Sequence, residues 1–271
     1  MRSVSAWAWW ELSSPMLSSL DQLSERKRCG PPVAVLTAAD YPTGRLLDEA
    51  GVDLILVGDS LGMVVLGLPD TTGVTMEAMI HHTAAVCRGV KRAPVIGDLP
   101  FESYRTPEEA LANARRLIEV GASAVKLEGA GEMIPMVEAI TAEGIAFVGH
   151  LGMLPQHVKE EGGYKKKGKT EEDAVRLVSE VQALERAGAC AVVLESIVPA
   201  VAAEMTAAVK IPTIGIGSGD AVDGQVLVTH DVLGSFPWFV PPFAKTRADV
   251  AGETLRAVRE YLNDVRGTEA P

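Results

Sequence analysis

Apolar runs of four or five residues recur along the chain, each followed by glycine or a polar cluster and separated from the next by an amphipathic stretch. Val33 to Thr37, Asp53 to Val57, Ala93 to Gly97, Ala122 to Val125, Ile145 to Val148, Ala191 to Leu194 and Pro212 to Ile216 read as strands. Their apolar residues do not alternate with polar ones, so both faces are expected to be covered. Between them, Tyr41 to Ala50, Thr75 to Val90, Thr106 to Val120, Glu132 to Glu143, Thr170 to Ala187 and Ala200 to Lys210 carry helical spacing. Thr106-Pro107-Glu108-Glu109 is a strong start signal: an N-cap hydroxyl, proline at the first turn and early acids. Glycines at 51, 121, 144 and 188 stop four of the helices.

Seven strand–helix alternations and an eighth predict a parallel sheet layered with helices. The count and the length of 271 residues favour a closed TIM (β/α)8 barrel over a doubly wound open sheet. The eighth strand is expected around Trp238 to Val240, before a closing amphipathic helix from Thr246 to Val265. Leu17 to Lys27 reads as an opening helix. Two connections are long, Ser60 to Thr75 and Leu151 to Lys169, and loops of that length inside a compact domain are usually functional.

Composition narrows the function. A net charge of −11 without a basic stripe excludes a nucleic-acid binder, and no apolar run is long enough to span a membrane. Cys29, Cys87 and Cys190 are odd in number and lack metal-ligand spacing, so they read as reduced thiols of a cytoplasmic protein. Residues 1–16, with Trp7, Trp9 and Trp10, lack a basic leader region and read as a disordered extension, with Met16 an alternative start. Residues 17–271 then form one catalytic domain.

The chemistry lies where the strands end. Asp59, Ser60, Asp98, Lys126, Glu128, His150, Glu195 and Ser218 each close an apolar run. A closed parallel barrel points all such ends at one face, where active sites sit. One polar residue there is usually a cap or a satisfied core group. Four carboxylates are not, because like charges raise one another's pKa. A divalent cation would relieve them, and carboxylate oxygens without cysteine or a His-Glu-x-x-His pattern favour Mg²⁺ or a similar hard ion over zinc. Asp59, Asp98 and Glu128 are the available ligands, and Lys126 suits a substrate carboxylate. A hard cation beside a lysine suits a 2-oxo acid, with Lewis-acid activation of the adjacent carbon. Glu195 is the candidate general base, and its neighbours Leu194 and Ile197 predict an apolar surround that raises its basicity. His150 reads equally as a pocket residue or a satisfied core histidine.

The segments LTAADY, VGDSLGMVVLG, VTMEAMIHHTAAV, GDLPFESY, GASAVKLEG, GHLGMLPQ, GGYKKKG, VLES, IPTIGIGSG, DGQVLVTHD and FAK, from Leu36 to Lys245, resemble in content and order the ketopantoate hydroxymethyltransferase family. The resemblance implies a barrel of the phosphoenolpyruvate/pyruvate type. It implies Mg²⁺-dependent hydroxymethyl transfer from 5,10-methylenetetrahydrofolate to 3-methyl-2-oxobutanoate, giving 2-dehydropantoate for pantothenate synthesis. It places metal ligands at Asp59, Asp98 and Glu128, substrate contacts at Asp59, Ser60, Asp98 and Lys126, and the proton acceptor at Glu195. It also implies a homo-oligomer, commonly a decamer.

Three positions depart from the family pattern: Ala39 where tyrosine is usual, His81 for a common tyrosine, and the segment Gly234 to Pro242 with Trp238 and three prolines. The first leaves the pocket shape open. Two other functions fit less well: another 2-oxo acid lyase or mutase, which would bring a KKCGH motif that is absent, and a non-catalytic oxo-acid-binding relative, which would have lost Glu195 or the aspartates. Gly215 to Gly219 lacks the GxGxxG spacing of a dinucleotide loop and reads as a tight turn. Lys165, Lys166, Lys167 and Lys169 read as a solvated loop whose charge would attract a folate glutamate tail.

Overall fold

The computed structural model describes residues 20–160 and 162–267, so the expected extension over 1–16 and the first residues of the opening helix lie outside it. Eight parallel strands close into a barrel in the order β1 to β8: Val33–Thr37, Leu54–Val57, Val95–Asp98, Ala124–Lys126, Phe147–Gly152, Ala191–Glu195, Thr213–Ile216 and Gly224–Leu227. The first seven fall within the apolar runs or extend them by a few residues. The eighth does not lie at Trp238 to Val240; it is Gly224–Leu227, paired with β1 through Val33–Gly224 and Val35–Val226. That strand was hidden because it is short and Gln225 faces outward and exposed. Trp238, 78% exposed, belongs instead to an irregular segment.

Strand alternation builds two cores. Side chains pointing inward, among them Val35, Leu56, Ile96, Ala124, Val148, Val193 and Val226, fill the barrel, and Leu23 of α1 (Leu23–Cys29) packs with them. Their neighbours Ile55, Val95, Val125, Phe147, Val192 and Leu194 point outward and pack under the helices. These helices include α2 (Tyr41–Ala50), α4 (Met76–Gly89), α5 (Pro107–Glu119), α6 (Ile134–Ala142), α7 (Glu171–Arg186) and α8 (Pro199–Ala208), with the short α3 (Leu61–Val64) in the first long connection. Their starts follow from sequence: Asp40, Thr75, Thr106 and Thr170 each accept a hydrogen bond from a backbone N–H three residues on.

One sector differs. After β8, the chain makes only the short α9 (Thr229–Leu233) before α10 (Val250–Arg266), in which no residue is buried. The outward side chains Ala34 of β1 and Gln225 of β8 are exposed where a barrel helix would ordinarily lie.

Gly152 ends β5 at φ +101°, and a Cβ there would collide with the carbonyl oxygen of Glu195 and the side chain of Ile197. Gly144 is also left-handed, φ +76°, but a Cβ there would meet nothing within 4 Å. Gly144→Ala is therefore expected to cost about 1–2 kcal/mol from the backbone alone, and Gly152→Ala several kcal/mol, since clash adds to strain. Urea unfolding of the two variants checks this, and equal losses would contradict it.

Candidate active site

The two-residue period of the strands decides which polar groups meet. Asp98, Lys126, Glu128, His150 and Glu195 each lie two residues beyond an inward-facing position of their strand or its extension. They therefore form a polar layer on top of the apolar barrel filling. Asp98 is in register with Lys126, and Gly152 with Glu195. Asp59 and Ser60 follow β2, where the chain turns into α3. Gly58 leaves room for them: a Cβ there would sit 3.3 Å from Ser60 Oγ and 3.4 Å from Asp98 Oδ2.

All seven residues line one cavity of about 100 Å³. Asp59, Asp98, Lys126, Glu128 and His150 are nearly sealed from solvent, whereas Ser60 and Glu195 are partly exposed. The Asp59 backbone N–H donates to Asp98 Oδ2 at 3.1 Å. Lys126 Nζ lies 2.6 Å from Asp98 Oδ1. His150 stands between two acids, Nδ1 3.4 Å from Glu128 Oε1 and Nε2 3.1 Å from Glu195 Oε2. On its inner side Glu195 thus meets a polar partner, His150, and not the expected Leu194. Leu194, its sequence neighbour, points to the opposite face of the strand, and the carboxylate faces His150. Ser196, next in the chain, is held at φ +49°, a strained conformation for a non-glycine residue.

Gln156 was not singled out from sequence, yet it organises the acids. Its side-chain amide donates to Asp59 Oδ2 at 2.7 Å and to the Leu99 carbonyl at 3.1 Å. Its backbone N–H donates to Glu128 Oε2 at 3.0 Å, and the Tyr104 hydroxyl donates to its Oε1. It lies in the second long connection, where periodicity gives no signal. Ser218, by contrast, lies outside this site: its hydroxyl donates to the Leu194 carbonyl at 2.7 Å and accepts from the Ile197 N–H at 3.0 Å, clipping two strand ends. His82 holds the Ala39 carbonyl at 2.6 Å, and Ala39 is buried away from this cavity.

The electrostatics follow from burial and crowding. Burial, then Asp98 and Glu128, hold the Asp59 carboxyl well above its ordinary range, despite Lys126 and Gln156. Burial works against the Lys126 ammonium, but Asp98, Glu128 and Asp59 outweigh it and raise its pKa. Burial and Lys126 oppose protonation of His150, yet Glu128 and Glu195 win and push it up to about 9. Four acids, Asp59, Asp98, Glu128 and Glu195, thus face two cations, Lys126 and protonated His150. With every acid ionised the layer lacks two positive charges, or one divalent cation, and with the proton on Asp59 retained it lacks one. Among the described residues, no three His, Cys, Asp or Glu side chains already stand as a closed ligand cluster. Lys126, Gln156 and His150 occupy part of the acids' bonding capacity, while Glu128 Oε1 is buried without a hydrogen bond.

A second, wider cavity of about 560 Å³ sits over the first and shares Ser60, Thr71 and Glu195 with it. Its walls are largely apolar and aromatic, with Met63, Met153, Tyr164, Phe239 and Phe243, and Lys166 at its edge. The lysine loop is tied down, because Lys167 pairs with Ile197 as an isolated bridge.

The same closed eight-strand barrel is found in solved structures of low sequence identity. One of them, 2,3-dimethylmalate lyase, described as a PEP mutase/isocitrate lyase superfamily member, superposes with a TM-score of 0.60 over 95% of this chain and 90% of its own, at 16% identity. Among barrels of this class, the family model of ketopantoate hydroxymethyltransferase matches residues 18–271, and the chain belongs to that family. The 3-methyl-2-oxobutanoate hydroxymethyltransferase of Carboxydothermus hydrogenoformans is 48% identical over 93% of this chain and 92% of its own. That of Pyrobaculum islandicum is 53% identical over 87% and 90%. The protein is accordingly an enzyme, a hydroxymethyltransferase acting on 3-methyl-2-oxobutanoate.

The raised His150 pKa fixes a pH dependence of stability. A histidine whose folded pKa lies above its ordinary 6.5 stabilises the fold fully below that value and ceases to do so as pH passes about 9. In chelator-treated protein, the melting temperature is expected to fall across that window, by the equivalent of up to ~3 kcal/mol. His150→Gln is expected to flatten the profile there, and a fall of the same size in the variant would contradict the assignment.

Proposed function

We propose that the polar layer binds one divalent cation and the 2-oxo acid, and that the wider cavity takes 5,10-methylenetetrahydrofolate. The observation that carries this reading is the charge deficit of the buried layer. Asp59, Asp98 and Glu128 would hold Mg²⁺ or a similar hard ion. Their donors are oxygens, and the deficit with every acid ionised is two charges. The ion, when bound, supplies Lewis-acid polarisation of the oxo acid.

The chain's own groups account for the rest. Ser60, with Asp59 and Asp98, borders the oxo acid, and the Lys126 ammonium, kept charged by its acidic neighbours, faces the substrate carboxylate. Glu195 takes the proton from C3, and the electron pair of that C–H bond moves toward the 2-oxo oxygen. His150, protonated below about 9, stands with Nε2 3.1 Å from Glu195 Oε2, and its charge holds the carboxylate at the boundary between the two cavities. Water cleaves the methylene bridge in the wider cavity, both C–N bonds breaking, tetrahydrofolate leaving and the carbon remaining as formaldehyde. C3 attacks that carbon, and the resulting alkoxide takes back the proton held by Glu195, giving 2-dehydropantoate. Lys166 at the cavity edge suits the glutamate tail of the folate. Residues 17–271 act as one catalytic domain. Cys29, Cys87 and Cys190 form no disulfide, which suits the reducing cytoplasm.

The exposed sector of the barrel supports a homo-oligomer. Leu255, Val258, Tyr261 and Val265 of α10 are exposed at spacings of three and four residues, an apolar stripe without a partner among the described residues. Packing α10 of one subunit over the bare β8–β1 sector of another covers both surfaces, and a decamer is the assembly the family resemblance implies.

Two measurements test this section. Deuterium exchange at C3 of 3-methyl-2-oxobutanoate, without folate, is expected to stop on chelation. It is expected to fall by about 10²–10⁴ in Glu195→Gln and to persist, at higher KM, in Lys126→Ala. Undiminished exchange in Glu195→Gln would remove Glu195 as the base. Light scattering of Val258→Glu is expected to give smaller species than the wild type, and an unchanged mass would remove α10 from the interface.

A further inference from the structure

Asp231 is a buried acid that none of the chemistry above uses. It lies on α9, directly after β8. Thr229 fixes that short helix to the end of β1, its hydroxyl donating to the Thr37 carbonyl at 2.6 Å and its N–H to Thr37 Oγ1 at 3.1 Å. Asp231 lines the wider cavity, as Phe239 and Phe243 do, and the residue is 4% exposed. No donor among the described residues is recorded on its carboxylate, and no charge offsets its burial, which alone pushes its pKa up to about 6. At neutral pH the group is an anion on the cavity wall without a partner among the described residues. A buried acceptor of this kind strongly favours a ligand that brings N–H donors.

The chemistry of the two substrates decides which one meets it. 3-Methyl-2-oxobutanoate is an anion without N–H donors, and Asp231 repels it. A reduced folate carries a flat 2-amino-4-oxopyrimidine edge, with N3–H and the exocyclic amino group side by side. Two parallel donors fit the two oxygens of a carboxylate. Aromatic and apolar walls suit the rest of the ring system. We infer that Asp231 is the residue that recognises the pyrimidine edge of the folate, accepting from N3–H and the 2-amino group. The assignment rests on the reading of the wider cavity as the folate site. It orients the ring by its pyrimidine end, leaving the one-carbon end to turn toward Glu195 and the inner cavity.

Calorimetric binding of tetrahydrofolate and of its 2-desamino analogue to wild type, Asp231→Asn, Asp231→Ala and Phe243→Ala tests it. Wild type is expected to bind tetrahydrofolate about 10- to 100-fold more tightly than the analogue, the range of charge-assisted hydrogen bonds. Both Asp231 variants are expected to lose that much affinity for tetrahydrofolate and, in Asp231→Ala, to stop discriminating between the two. The KM for the oxo acid is expected to move less than about threefold. Asp231→Asn removes a charge with no recorded partner, so its melting temperature is expected to equal or exceed that of wild type, whereas a purely structural role predicts a fall. If Phe243→Ala weakens tetrahydrofolate but the Asp231 variants bind it normally and still discriminate, the inference is overturned while the cavity assignment stands. If neither position affects binding, both are overturned.

Discussion

Repulsion between carboxylates forced into one buried layer is the constraint on which this site depends. Strand geometry imposes it: every second residue points into the barrel, and above the apolar filling those positions are Asp98, Lys126, Glu128, His150 and Glu195. Nothing in the fold can rotate one acid away without moving its strand. The offsets are therefore built in. Lys126 answers Asp98, His150 spans Glu128 and Glu195, and Gln156 reaches Asp59 and Glu128 from a loop. They leave Asp59 holding a proton more readily than an ordinary aspartate. A cation replacing that proton is the simplest way to bring the layer to neutrality.

The same compensation separates two roles among chemically similar groups. Asp59, Asp98 and Glu128 are sealed and held by donors, which suits ligands that must not move. Glu195 is less buried and lies at the shared boundary of two cavities, next to the strained Ser196. That placement suits a group that must meet a substrate from one side and release it toward another. The cavities differ in chemistry as well. The inner one is small and charged, and the outer one is wide, apolar and aromatic.

Much of this was legible in the sequence. Seven strands showed as apolar runs closed by glycine or acids, because both faces of a barrel strand are covered. The residues ending those runs were the ones brought together, apart from Ser218, which clips backbone instead. The eighth strand was misplaced because Gly224–Leu227 is short and half exposed, while the apolar Trp238 to Val240 imitates a strand. That error also concealed Asp231, whose helix is identifiable only once β8 is set correctly. Gln156 sits in a loop without periodicity, and its function is a matter of reach. Leu194 contributes nothing to the surround of Glu195, because neighbours along a strand face opposite ways; the apolar side of Glu195 comes from the wider cavity.

The central claim is that these acids share a hard cation. Electron paramagnetic resonance of Mn²⁺ titrated into the wild type, Asp59→Asn and Asp98→Asn tests it without any turnover. The account predicts about one ion bound per wild-type subunit through oxygen ligands and at least about tenfold weaker binding in each variant. Binding of the same stoichiometry and strength in all three proteins would contradict it.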